Sequence, residues 1–246
     1  MCDYDIIYYR GVVMKLIGIV GRVYSNKDNQ EIIQLNDCIR RVLSSYNDVV
    51  STVILPTNSI SYLDINMGDD ELGESDKKKL DYILSMCDGF IIPGGTYWYS
   101  FDEYVIRHAI ETKKPLLAIC AGFQGLCSMF AKDRDKFDMT NRFLGSNNHY
   151  GKGNEYVHEV MIEKNTLLSR ILDKDSIMVN SLHHDYVDFL MDGLKISSFS
   201  KDNVVEAVEL VEHPFLLGVE WHPEYLDDNN SKKIFDYFVD SIKKTQ

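Results

Sequence analysis

Three short stretches carry residue types that together could attack a carbonyl. The first is Pro115-Leu116-Leu117-Ala118-Ile119-Cys120-Ala121-Gly122-Phe123-Gln124. An apolar run leads into a cysteine, and two small residues precede a helix-compatible segment. This is the pattern of a nucleophile elbow: a strand ends, the chain turns sharply, and the reactive side chain stands at the tip. Small neighbours suit the strained backbone of such a turn. The amides and dipole of the new helix favour a thiolate. The plainer alternative is a structural thiol closing a core strand, since free cysteine is among the most buried residue types.

The second stretch is Gly218-Val219-Glu220-Trp221-His222-Pro223-Glu224. A cysteine nucleophile needs a base, and the base needs an orienting partner. His222 follows a strand end, and Glu224 lies just beyond a stiffening proline. The plainer alternative is a surface His and Glu after a strand. The third stretch is Pro93-Gly94-Gly95, where two glycines let backbone N–H groups approach a ligand closely. Beside the elbow, the N–H groups of Gly95 and Ala121 would form an oxyanion hole, in which losing one donor costs about 3–4 kcal/mol of barrier. Alone, Pro-Gly-Gly also fits an ordinary turn.

These groups need strand ends on one side of a sheet. Lys15–Gly21 reads as a buried first strand, and residues 29–45 as an amphipathic helix through Ile32, Ile33, Leu35, Ile39, Val42 and Leu43. Residues 49–56 form a second strand stopped by Pro56, and 57–74 a polar loop. A helix opens at Ser75, followed by a third strand over 88–95, a helix over 101–112 and a fourth strand over 115–119. Such alternation predicts a parallel sheet with helices on both faces and a ligand site beyond the strands' carboxyl ends. The second half differs. Residues 133–154 read as an irregular excursion and 156–162 as an alternating antiparallel strand. A helical turn at 167–172, a strand over 176–181 and a hairpin turning at Lys201-Asp202-Asn203 follow. A buried strand over 215–221 and a closing helix over 231–244 complete the chain. The fold class is therefore α/β, with a central, mostly parallel sheet flanked by helices and a small antiparallel β excursion. Residues 1–14 are expected to be an N-terminal extension, with Met14 as an alternative start, and 15–246 a single catalytic domain.

Composition narrows the function. The net charge of −12 argues against nucleic acid and against an anionic membrane surface as partners. No run approaches the ~20 apolar residues of a membrane span. Five cysteines without framework spacing point to a reducing cytosol, and hence a cytoplasmic protein. His108, His149, His158 and His213 show no ligand spacing, so neither a metal nor another cofactor is expected.

In order, Ile92-Pro93-Gly94-Gly95, Cys120-Ala121-Gly122-Phe123-Gln124 and Glu220-Trp221-His222-Pro223-Glu224 resemble the class I glutamine amidotransferase superfamily. The resemblance runs from about residue 15 to the C-terminus. It implies a flavodoxin-like fold and a Cys120–His222–Glu224 triad. Val179-Asn180-Ser181-Leu182-His183-His184 and Val205-Glu206-Ala207-Val208-Glu209 resemble the γ-glutamyl-γ-aminobutyrate hydrolase branch, peptidase family C26. This implies hydrolysis of a small γ-glutamyl amide through a γ-glutamyl thioester on Cys120, with Gly94, Gln124, Ser181, His183 and His184 at the substrate. For the His pair, a structural, hydrogen-bonded role is the alternative. Tyr97-Trp98-Tyr99 would either wall the pocket or cover a sheet edge. The chain departs from that branch at Ala121, at Asp185 and at Thr96-Tyr97-Trp98-Tyr99, which leaves the amine half of the substrate open. Two rivals stand beside the hydrolase: a glutaminase subunit supplying ammonia to a separate synthetase, and a silent binding protein of the same fold. Association into a homodimer is compatible with all three.

Overall fold

The computed structural model describes residues 8–9, 12–62, 71–132, 149–187 and 191–245. Two short strands, β1 (Tyr8–Tyr9) and β2 (Val12–Val13), pair antiparallel within the N-terminal segment. The first core strand, β3 (Lys15–Val20), buries Ile17, Ile19 and Val20 completely.

The expected helix over 29–45 is corrected in its first half. β4 (Arg22–Ser25) and β5 (Glu31–Gln34) form an antiparallel hairpin, and the helix is only α1 (Asp37–Leu43). The reason is turn chemistry. The Asn26 side chain accepts from the amides of Asp28 and Gln30, each at 2.9 Å, and Asn29 takes a left-handed φ of 56°. The helix then starts late because the Asn36 side chain caps it, accepting from the Cys38 amide.

The alternation that follows is as expected: β6 (Val49–Ile54), α2 (Glu74–Met86), β7 (Gly89–Ile92), α3 (Ser100–Thr112), β8 (Leu116–Ile119) and α4 (Ala121–Met129). Then come β9 (His158–Ile162), α5 (Leu167–Leu172), β10 (Ser176–Val179), β11 (Lys195–Ser200), β12 (Val205–Glu209), β13 (Leu216–Val219), a 3-10 turn at Pro223–Tyr225 and α6 (Asn229–Lys244). Of the expected 57–74 loop, residues 63–70 lie outside the described residues, as do 133–148 of the 133–154 excursion.

One nine-stranded sheet runs β10-β9-β11-β12-β13-β8-β7-β3-β6. From β13 to β6 neighbouring strands are parallel, and from β13 to β10 they are antiparallel. The antiparallel strands of the expected excursion belong to this same sheet. They extend the parallel half edge to edge, because β12 pairs with β13 on the side that β8 leaves free.

Side chains alternate across the parallel strands, so each face has its own core. Ile91, Leu117, Ile119, Leu217 and Val219 pack with α1 and α6 residues such as Ile39, Phe235 and Phe238. Phe90, Ile92, Leu116, Ala118 and Leu216 pack with α2, α3 and α4 through Leu80, Leu84, Phe101, Val105, Phe123 and Leu126. Each such fully buried large side chain stabilises the fold by about 1.5–3 kcal/mol. This is why the short apolar runs at Pro93, Cys120 and Glu220 end on the same side: β7, β8 and β13 are parallel neighbours, with Ile92 opposite Ala118 and Ile119 opposite Val219.

Candidate active site

Cys120 lies between β8 and α4 with φ 50° and ψ −113°. This left-handed geometry is strained for a residue with a Cβ, and such strain marks functional positions. It is held from both sides. The Cys120 amide donates to the Val219 carbonyl at 2.8 Å, and its carbonyl accepts from the Gln124 amide at 2.9 Å. Gly122 makes the turn sterically feasible, since a Cβ there would sit 2.3 Å from the Ile92 carbonyl oxygen.

His222 leaves β13 and faces the cysteine. Its Nδ1 is 2.7 Å from Glu224 Oε1, and the Cys120 side chain stands beside the same ring across Gly94. Cys120, His222 and Glu224 are each only 6–7 % exposed. Burial opposes charge on His222, but the Glu224 carboxylate and the Cys120 sulfur outweigh it, and the imidazole pKa rises well above its usual value. Gly94 is glycine for want of room: a Cβ would lie 2.5 Å from His222 Cε1 and 3.3 Å from Cys120 Cβ.

A cavity of about 680 Å³ opens over these groups, lined among others by Gly94, Gly95, Thr96, Cys120, Gln124, His183, His184, Asp185, His222 and Glu224. Of the expected oxyanion donors, Gly95 lines the cavity, and Ala121 is the first residue of α4, where backbone N–H groups lack intrahelical acceptors. Gln124 turns its amide inward and donates to Glu220. Burial, with Cys120 and Glu206 nearby, pushes the Glu220 carboxyl well above its usual pKa.

Ser181 departs from its expected role. It is fully buried, its hydroxyl donates to the His149 carbonyl, and it is absent from the cavity lining. The expected His pair splits. His184 is exposed at the rim and stacks on Tyr150 at 4.3 Å, whereas His183 is buried and burial pushes its imidazole down to about 3. Trp98 and Tyr99 do not line this cavity. Trp98 packs on Gly125 of α4 and Tyr99 against Tyr62 and Phe101, and only Thr96 of that run reaches the cavity.

Two positioning residues were missed. Asn180 is fully buried and clamps His222, accepting from its amide at 2.9 Å and donating to its carbonyl at 2.8 Å. Arg22 holds the Pro93-Gly94-Gly95 turn: its Nε donates to the Pro93 carbonyl at 2.9 Å and its Nη1 to Asp102 at 2.7 Å. The signal for Arg22 was a charged residue directly after a core strand; for Asn180, a lone amide at the end of one.

The histidine spacing is also corrected by the fold. His149, His158, His183 and Glu206, all buried, each bring one ligand atom within 4.8 Å of the others. They come from four segments spread over residues 149–206 at irregular intervals, which is why no spacing rule applied. His108 and His213 lie elsewhere, beside Asp81 and the Ala109 carbonyl.

No helix among the described residues is long and apolar enough to cross a membrane. The family model and the curated relatives make the chain a hydrolase of amide bonds in the class I glutamine amidotransferase-like superfamily. Residues 99–224 match the family model described as Peptidase C26, and the chain belongs to that family. It is 28 % identical over 210 residues to a glutamine amidotransferase-like protein of Rickettsia prowazekii, covering 61 % of this chain and 75 % of that protein. It is 29 % identical over 187 residues to the gamma-glutamyl-gamma-aminobutyrate hydrolase PuuD of Escherichia coli, covering 65 % and 74 %. Among solved structures, the glutaminase domain of Trypanosoma brucei CTPS, with bound acivicin, superposes with a TM-score of 0.63 over 95 % of both chains. At 16 % identity that likeness speaks for the fold alone.

Proposed function

We propose that the protein cleaves the γ-glutamyl amide bond of a small γ-glutamyl compound through a thioester on Cys120, releasing glutamate and an amine. The observation that carries this reading is the strained Cys120, which shares the cavity with a His222 held by Glu224 at 2.7 Å. Its likeness to the Escherichia coli hydrolase supports the γ-glutamyl half.

Cys120 gives its proton to His222, and the thiolate attacks the γ-carbonyl carbon. The N–H groups of Gly95 and Ala121 donate to the oxyanion of the tetrahedral intermediate. The imidazolium returns its proton to the amine nitrogen as the C–N bond breaks, leaving a γ-glutamyl thioester. Neutral His222 then takes a proton from water, and the hydroxide attacks the thioester carbonyl. Collapse of that intermediate frees glutamate and restores the thiolate. This chemistry runs in a reducing, cytoplasmic setting that keeps the thiol free. A panel of γ-glutamyl amides, with products read by mass spectrometry, tests the reading. Turnover should vanish in Cys120→Ala with the circular dichroism spectrum unchanged; retained turnover would sink the mechanism.

A second reading is a glutaminase that supplies ammonia to a synthetase, favoured by the likeness to the glutamine amidotransferase-like protein of Rickettsia prowazekii. Glutamine hydrolysis that rises only when a synthetase partner is added, with γ-glutamyl amines left intact, would favour it.

A further inference from the structure

Beside the catalytic cavity lies a group of side chains that the hydrolytic steps do not use. His149 precedes the isolated pairing of Tyr150 with Leu182, His158 opens β9, His183 follows β10, and Glu206 sits on β12. Glu206 Oε1 is 3.3 Å from His149 Nδ1, 3.4 Å from His158 Nε2 and 3.8 Å from His183 Nε2. His149 Nδ1 and His183 Nε2 are 3.2 Å apart. A tetrahedral ion bound at about 2.0–2.1 Å holds its ligand atoms about 3.3 Å from one another. These separations are close to the edges of that tetrahedron.

The opposite nitrogen of each ring makes a second, independent argument. His183 Nδ1 faces the Asp185 carbonyl at 2.9 Å, His149 Nε2 the Asp202 carboxylate at 3.3 Å, and His158 Nδ1 the Glu159 carbonyl at 3.5 Å. An N–H given outward to oxygen turns a lone pair inward, as in metal-bound histidine. Inside, His158 Nε2 and both carboxylate oxygens of Glu206 are buried without a hydrogen-bond partner. A buried carboxylate facing imidazole lone pairs is costly, and a cation removes that cost.

We propose that His149 Nδ1, His158 Nε2, His183 Nε2 and Glu206 Oε1 form a tetrahedral site for a divalent transition-metal ion, with zinc matching the ligand set. Four protein ligands leave no open position, so the ion is structural. It ties the segment at 149, β9, the segment after β10, and β12 to one point. His183 also lines the cavity and stands 3.5 Å from Glu220, so the ion braces the cavity wall.

The test uses the full chain carrying Cys120→Ala, so that sulfur and His222 offer no competing site. After chelator treatment and dialysis against micromolar Zn²⁺, elemental analysis should find one zinc per chain. Co²⁺ should give the intense visible absorption of a tetrahedral site without a thiolate charge-transfer band. His158→Gln and Glu206→Gln should weaken binding at least tenfold. Asp202→Asn, which keeps all four ligands, should weaken it about 10–100-fold and serves if the ligand variants fail to fold. The proposal is overturned by a folded chain that takes up neither ion stoichiometrically, as a His149 imidazolium paired with Glu206 would require. Uptake unchanged in His158→Gln or Asp202→Asn overturns it equally.

Discussion

Replacing Gly94 with alanine tests how tightly the imidazole must be held. The new Cβ would lie 2.5 Å from His222 Cε1, whereas ordinary contact begins near 3.4 Å. The ring must therefore retreat by about 0.9 Å. It has little freedom to do so. Asn180 fixes the His222 amide and carbonyl, and Glu224 holds Nδ1 at 2.7 Å. A misplacement of about 1 Å in a reacting group costs on the order of 100-fold in rate, about 2.7 kcal/mol of barrier. The loss should appear mainly in kcat, because the displaced ring carries the protons. The assay pairs steady-state hydrolysis of a chromogenic γ-glutamyl anilide with the rate of Cys120 alkylation by iodoacetamide. A Gly94→Ala protein with kcat within about threefold of the parent and unchanged alkylation would refute the reasoning.

Two further predictions concern charge and packing. Because its pKa is raised in the folded state, His222 contributes stability that is fully present below the ordinary imidazole pKa and lost as pH climbs through the raised value. The parent kcat/KM should hold through neutrality and fall on the alkaline side. Glu224→Gln removes the carboxylate that favours the imidazolium, so that alkaline limb should move to lower pH, and an unmoved limb would count against the pairing. Gly122→Ala places a Cβ 2.3 Å from the Ile92 carbonyl oxygen, a backbone atom that cannot swing aside. Overpacking of this kind costs about 1–3 kcal/mol. For a chain of this size that lowers the melting midpoint by about 2–12 °C, readable by calorimetry; an unshifted midpoint would show that the turn gives way.

Legibility followed the range of the interactions. The core strands were readable because alternation and apolar runs are local, and the closing helix begins within two residues of its expected start, with Asp228 as its cap. The strand over 176–181 ends instead at Val179, because Asn180 leaves the ladder to bind His222. The hairpin of β4 and β5 was misread because Ile32, Ile33 and Leu35 satisfy a helical spacing too, and the turn at Asn26 decided the matter. Ser181 was misassigned because its motif sits beside the pocket while its own side chain points to the His149 carbonyl.

By itself, the sequence determined where the reactive groups stand along the chain. Cys120, Gly94 with Gly95, and His222 with Glu224 each follow a strand end, because apolar runs, glycine and proline act on their nearest neighbours. Tertiary structure decided which strand ends meet. The parallel adjacency of β7, β8 and β13 turns three turns into one site, and Arg22 and Asn180 hold it through bonds spanning 71 and 42 residues. It also decided the assembly of His149, His158, His183 and Glu206, whose ligand atoms meet only once the antiparallel strands have joined the same sheet. Such contacts depend on long-range register, which no local pattern of residues encodes.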